Sequence, residues 1–507
     1  MLSADQGQYD KKKLIRCLVV LGVLTILGHF THGLIMVIAP LLIFAAISQR
    51  KSVDSLFWIL YLVFCSVGNR YFFAQSATAL LLTRATLMGV TVVLMFGAGG
   101  RRAPAFVHPL LGLFLYIGWE AIVSAQGYAP GVSYMKLLLF VPLYLSGYAI
   151  ACDVTASTRA NAKLVRTVVL SIIILIIGGS MALMFVPSIG QMSAAREGAD
   201  VAAVMRGIAS GESVSLFCGM CAHSQALGPL IAILSSLVFA DFVFGVRRKD
   251  WIYIGLLVSC PYLVYKTSSR TAMGTYVMGM GLVTLLLMQA RAVGARWKGK
   301  VLMIVFTLGF MGLAAGLAVP SIRNRALSFV LKTAATEEKS AADMTFENVT
   351  SSREGLVQES LEGFRRKPLI GNGYQVAWYM QYMRRRGIKD YISAPIEKGV
   401  WPTAVLEEGG IIGLVLFAGF LLVAMSILYR KHAYCGLSVL WTFMFANFGE
   451  FSFFSMSYVG GFYWLLVFTG LILDGQRMKT VGLQPWDVPI KVVMQEVGMP
   501  EWMRRRG

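Results

Sequence analysis

Charge is scarce in this chain. Asp, Glu, Lys and Arg make up 14% of its 507 residues, against 57% hydrophobic residues and a mean hydropathy of +0.66. A soluble domain of this size needs far more polar surface, so a soluble fold is excluded. Apolar–polar alternation is missing too, which excludes a membrane β-barrel. The first apolar run has no small-residue cleavage site after it, so no cleavable signal peptide is expected. There is no P-loop and no glycine-rich strand–helix turn, which removes nucleotide and nicotinamide sites. Cysteine is sparse and scattered. Cys218-Gly-Met-Cys221-Ala-His223 has one alanine too many for haem attachment and one ligand too few for tetrahedral zinc. An external disulfide, or two unlinked small residues, is what remains. No internal repeat is evident, although transporters are often built from one.

What is present is a series of continuous apolar runs from Leu14 to Leu473. Their length of roughly 17–25 residues matches a hydrocarbon core of ~30 Å at ~1.5 Å rise per residue. Expected spans are 14–30, 33–48, 54–68, 72–97, 106–125, 133–151, 165–187, 222–245, 251–266, 270–290, 301–319, 403–428, 433–449 and 457–473. The net charge of +20 is distributed as membrane topology demands, not as a nucleic-acid surface would be. Every second connection is basic: Lys11–Lys13, Arg50/Lys51, Arg101/Arg102, Arg159/Lys163/Arg166, Arg247–Lys249, Arg291–Lys300, Arg430/Lys431 and Arg504–Arg506. The expected fold is therefore all-α and polytopic, with about fourteen transmembrane helices and both termini cytoplasmic. N-terminal helices fill 1–187 and an external loop 188–221. Central helices fill 222–319, a large external subdomain 320–402, C-terminal helices 403–473 and a cytoplasmic tail 474–507.

The external loops are also basic, which fits a solvated face, lipid headgroups or an anionic ligand such as phosphate. Within 320–402, REGLVQESLEGFRR reads as a helix with Arg353 in its first turn and Ser351 or Ser352 as N-cap. Arg84, Glu120 and Lys136 fall in or near spans, where ionised groups face an interior or a partner.

Three stretches together resemble the O-antigen ligase and polymerase superfamily over about residues 215–430. AHSQALGPLIAILSSLVFA at 222–240 is similar to that family's opening of a span. TSSRTAMGTYVMG resembles its Ser-Arg signature. SSREGLVQESLEGFRRKPLIGNGYQ with AVLEEGGIIGLVLF resembles its arginine-bearing helix, its Pro-Leu-x-Gly-x-Gly turn and its glutamate–glycine return into the membrane.

The resemblance implies a metal-independent membrane glycosyltransferase that needs no cofactor. In the family an acceptor hydroxyl attacks an anomeric carbon and undecaprenyl diphosphate leaves. Arg270 and Arg353 match its two functional arginines and would stabilise charge on the leaving phosphates. Arg270 alone also reads as a snorkelling interfacial residue. Arg196, opening Arg196-EGADVAAVMR-Gly207, resembles a segment of polymerase members and joins them as a binding candidate.

Where ligase members carry a His-Asn/Ser pair, this chain has Gly399 and Val400, and Leu414 stands for their threonine. That favours a polymerase over a ligase, with a lipid-linked sugar flippase as the reading from another class. Candidate bases are Glu408, Glu397 and His223, since a carboxylate in a poorly hydrated site can take a proton. Glu408 equally fits a helix-start residue favoured by the macrodipole. Expected partners are an undecaprenyl-diphosphate-linked oligosaccharide and membrane lipids, with a chain-length regulator or another polysaccharide-assembly protein left open. The expected location is the bacterial cytoplasmic membrane.

Overall fold

The computed structural model describes residues 9–31, 34–69, 71–73, 77–97, 107–193, 215–245, 250–267, 269–289, 346–377, 398, 400–449, 452–454 and 459–480. Its helices of more than five residues, in chain order, are α1 (Lys11–Thr31), α2 (Leu34–Ser48), α3 (Ser52–Val67), α4 (Ala77–Gly97), α5 (Leu113–Ala125), α6 (Pro130–Ala156) and α7 (Ala162–Leu183). They continue as α8 (Ser224–Ala240), α9 (Trp251–Lys266), α10 (Arg270–Gln289), α11 (Phe346–Arg366), α12 (Trp401–Arg430), α13 (Tyr434–Ala446) and α14 (Val459–Thr480). Eight helical stretches, on α1, α5 to α8, α10, α12 and α14, are long and apolar enough to cross a membrane. Shorter apolar stretches lie on α2, α3, α4, α9 and α13. Expected span 301–319 lies outside the described residues; each of the others falls on a helix.

The packing follows hydropathy. The apolar stretches of α8 and α14 are 94% buried and form the centre, as helices apolar on every side should. On α1, by contrast, Ile15, Val19, Val23, Ile26 and Phe30 all face outward. A stripe of large exposed apolar side chains suits hydrocarbon and not water.

Sequence punctuation sets the helix starts. Asn161 accepts the Leu164 N–H at 2.8 Å, Asp250 that of Ile252 at 2.9 Å, and Ser269 Oγ that of Ala272 at 3.2 Å.

The structure is almost entirely helical; beside the helices, Gln191–Ser193 (β1) pairs antiparallel with Ser215–Phe217 (β2), Gln191 opposite Phe217. One expectation needs correction: α11 begins at Phe346, so Ser351 and Ser352 are interior and Arg353 is not in the first turn. α14 continues to Thr480, within the stretch expected as the tail.

Helix ends gather into two layers. In one, Asn69 donates its backbone N–H to Met220 O at 2.8 Å, Tyr128 donates to Asn372 O at 3.3 Å and Trp401 to Asn447 O at 3.0 Å. In the other, Tyr9 donates to Asp250 Oδ1 at 3.3 Å and Gln476 Nε2 to Val154 O at 3.1 Å. Arg166 belongs to this second layer but not to a solvated basic loop. It lies one turn into α7, buried, and grips Asp241 with Nε at 2.8 Å and Nη2 at 2.9 Å. Tyr253 donates its hydroxyl to the same carboxylate.

Candidate functional site

α12 is two helices spliced through a break. Gly410 has φ +67 and ψ −164, so the ladder stops between 409 and 411. Each side of such a break leaves backbone groups without helical partners, which within a membrane must be satisfied by protein. The turn after α11 does this. Asn372 donates its N–H to Glu407 O at 2.9 Å, and Gly373 to Glu408 O at 2.9 Å, serving the carbonyls before the break. Ile411 donates to Pro368 O at 2.9 Å, serving the amides after it. The approach is close enough to require glycine on both strands. A Cβ on Gly371 (φ +76) would lie 2.1 Å from Glu408 O, and one on Gly410 2.3 Å from Leu369 O. The PLIGNG and EEGG segments are therefore one spliced unit.

Side chains then lock the splice. Lys398 Nζ lies 3.1 Å from Glu407 Oε2 and 3.0 Å from Glu408 Oε1, and donates to Val376 O at 2.7 Å. All three side chains are essentially without solvent exposure. Burial works against the charge on Lys398, but Glu407 and Glu408 outweigh it, and its pKa stands above that of an ordinary lysine. Trp119 donates Nε1–H to Gly409 O at 2.8 Å, and Lys136 Nζ donates to Gln375 O at 2.8 Å. Tyr374 is held by Ser124, whose Oγ accepts its N–H at 3.0 Å, and by Ser133, which donates to its carbonyl at 2.9 Å. Burial, with Glu408 and Glu120 adding to it, keeps the Tyr374 hydroxyl well above the ordinary phenol value, so it remains a donor.

Glu408 is thus placed by the splice and by Lys398, not by the start of a helix: α12 begins at Trp401. Arg270 opens α10, partly buried, in the same layer of helix ends. A Cβ on Gly449 would come within 1.9 Å of Thr271 Oγ1, which brings the end of α13 to the start of α10. Trp401 donates its N–H to Asn447 O at 3.0 Å and brings α12 to the same place. His223 caps α8, its Nδ1 accepting the Ala226 N–H at 3.0 Å. A neutral ring with that acceptor carries its proton on Nε2, so in this arrangement the outer nitrogen donates. Arg353 lies on α11, which packs against α12; only its backbone is described. Arg196 and Glu397 lie outside the described residues. Cys218 and Cys221 are buried and are not joined in a disulfide.

Of the intramembrane charges flagged in the sequence, Glu120 and Lys136 join the splice. Arg84 lies apart, lining a cavity of about 200 Å³ with Leu81, Met88, Leu138 and Pro142. Lys398 was not foreseen. Its only sequence signal is a lysine shortly before an apolar run that opens with paired glutamates. No family model matches the chain, and no curated protein matches it.

Proposed function

We propose that this protein is a membrane glycosyltransferase that extends a polysaccharide from lipid-diphosphate-linked units on the outer face of the bacterial cytoplasmic membrane. The finer topology belongs to the same reading: about fourteen spans, both termini cytoplasmic, and 320–402 as the external subdomain. The observation that carries it is the splice, because it joins the arginine-bearing α11 to the glutamate-bearing α12 in the layer where Arg270 opens α10. Those three elements lie on separate stretches of sequence that each resemble one family, and the fold brings two of them into direct contact.

In the proposed reaction an acceptor hydroxyl oxygen forms the new bond to the anomeric carbon of the donor sugar. The bond from that carbon to the phosphate oxygen breaks, and its electron pair leaves with the lipid diphosphate. Arg270, Arg353 and Arg196 supply guanidinium groups for the charge growing on the phosphates. The acceptor's proton passes to a base: Glu397, or else His223 once released from the Ala226 amide or Glu408 once released from Lys398. The donor arrives activated, so the reading requires no cofactor.

A ligase of the same superfamily, passing a finished glycan to another acceptor, is the alternative. A lipid-linked sugar carrier is the second reading from another class. The helix break favours it specifically, since carriers often build their sites from discontinuous helices. One experiment separates the three. Purified protein in liposomes is given a lipid-diphosphate-linked repeat unit, and the products are resolved on a gel. A ladder that collapses in Arg270→Ala and Arg353→Ala supports the polymerase. An intact donor that reacts only when a foreign acceptor is added supports the ligase. Donor that crosses the bilayer unchanged supports the carrier.

A further inference from the structure

α5 turns a polar line toward the splice. Tyr116, Glu120 and Ser124 recur at helical spacing on one face. Ser124 pins the end of that line to Tyr374 N at 3.0 Å. Glu120 Oε1 lies 2.4 Å from where a Cβ on Gly409 would stand, so this carboxylate rests on bare backbone beside Glu408. The rings of Tyr116 and Tyr374 both pack on Phe454, at 5.2 and 5.8 Å. Both phenols interact electrostatically with both carboxylates.

These groups surround one another without bonding. Both Glu120 oxygens and the Tyr116 and Tyr374 hydroxyls make no hydrogen bond among the described residues, and all three side chains have 0% exposure. The Tyr116 hydroxyl and the Glu120 carboxylate, one turn apart on α5, lie within interaction range, but their geometry does not close a hydrogen bond. Buried polar atoms are nearly always satisfied, so four together that are not mark a place where something polar belongs. The charge balance says which sign. Glu120, Glu407 and Glu408 stand against Lys398, with Lys136 next along the loop on Gln375 O. The donors are hard oxygens, which suit an alkali cation and not a soft metal.

We propose that Glu120, Glu408, Tyr116 and Tyr374 form a buried binding site for one alkali cation beside the break in α12. The bound ion offsets the carboxylate charge that Lys398 leaves over and ties α5 to the splice. This site is independent of the glycosyl-transfer reading, and its test reads binding and stability, not turnover.

Full-length protein in lipid nanodiscs is unfolded thermally in NaCl, KCl or choline chloride at equal ionic strength. The wild-type midpoint should rise saturably with sodium or potassium relative to choline. Glu120→Gln should abolish that rise. Tyr374→Phe keeps the ring packing, removes one oxygen and should require several-fold more cation. Uptake of radioactive sodium by the wild type, saturating at about one ion per chain, checks the site directly. If Glu120→Gln does not fold, Tyr374→Phe and the tracer carry the test. Equal midpoints in the three salts with no bound tracer would overturn the site. So would a wild type stabilised only by lowering pH, because the missing positive charge would then be a proton.

Discussion

Lys398 Nζ stands 3.0 Å from Glu408 Oε1, with the two residues 3% and 0% exposed. Glu407 shares the same ammonium at 3.1 Å. Lys398→Met keeps the volume and removes the charge, so Glu407 and Glu408 lose the buried ammonium they share. Breaking a buried ion pair from one side costs about 3–5 kcal/mol. The expected result is a large fall in the thermal midpoint in detergent.

The same lysine gives a pH dependence with a definite sign. Its folded pKa lies above the unfolded value, so its contribution is fully present below the ordinary lysine pKa of ~10.4. It is lost only as pH rises through the higher folded value. Wild type should hold its midpoint through neutral pH and lose stability steeply in strong alkali. Lys398→Met should lack that alkaline limb, which a midpoint-against-pH series would show.

Gly410→Ala and Gly371→Ala should each open the splice. Both sit at positive φ, and each new Cβ would strike a carbonyl oxygen, at 2.3 and 2.1 Å. Strained φ and overpacking together cost about 2–4 kcal/mol. Gly419→Ala, where nothing lies within 4 Å, is the control and should be neutral or slightly stabilising. Equal midpoints for all three variants would remove the need for glycine at the break.

The bilayer makes the helices of this fold legible, because a spanning segment announces itself by length and apolarity alone. The site is less so. GNG and EEGG signal a turn and a break separately, but nothing in either shows that the carbonyls of 407 and 408 await the amides of 372 and 373. Long-range hydrogen bonds between backbone groups leave no residue-type signature. Arg166 shows the opposite failure: in sequence it is one more basic residue at a helix start, and only the fold reveals Asp241 opposite it. Glu120 stood out as a charge within a span, yet its place against Gly409 depended on α5 lying beside the break.

Arg166 and Asp241 should behave as one unit. Arg166→Met or Asp241→Asn alone strands a buried charge and costs about 3–5 kcal/mol, whereas replacing both by apolar residues of similar size is near neutral. A double-mutant cycle on thermal midpoints would show strong coupling. Additive losses would mean that the pair is not held in the bidentate geometry with Nε and Nη2 at 2.8 and 2.9 Å.

Glu407 and Glu408 are the pair that separates architecture from chemistry. Each offers an oxygen to Lys398 at about the same distance, 3.1 and 3.0 Å, and each is buried. Glu407→Gln and Glu408→Gln leave the lysine one carboxylate apiece, so both variants should fold with similar losses of about 1–3 kcal/mol. A carboxylate that only braces the splice tolerates an amide, since the amide oxygen still accepts from Lys398. A carboxylate that takes the acceptor's proton does not, since an amide has no useful basicity. With 0% exposure and an ammonium on its oxygen, Glu408 is built as a brace. Both variants should therefore make products from the lipid-diphosphate donor at comparable rates when matched for folded protein. A rate lost by orders of magnitude in Glu408→Gln alone, at equal stability, would instead make Glu408 the base and require the Lys398 clasp to open during each turnover.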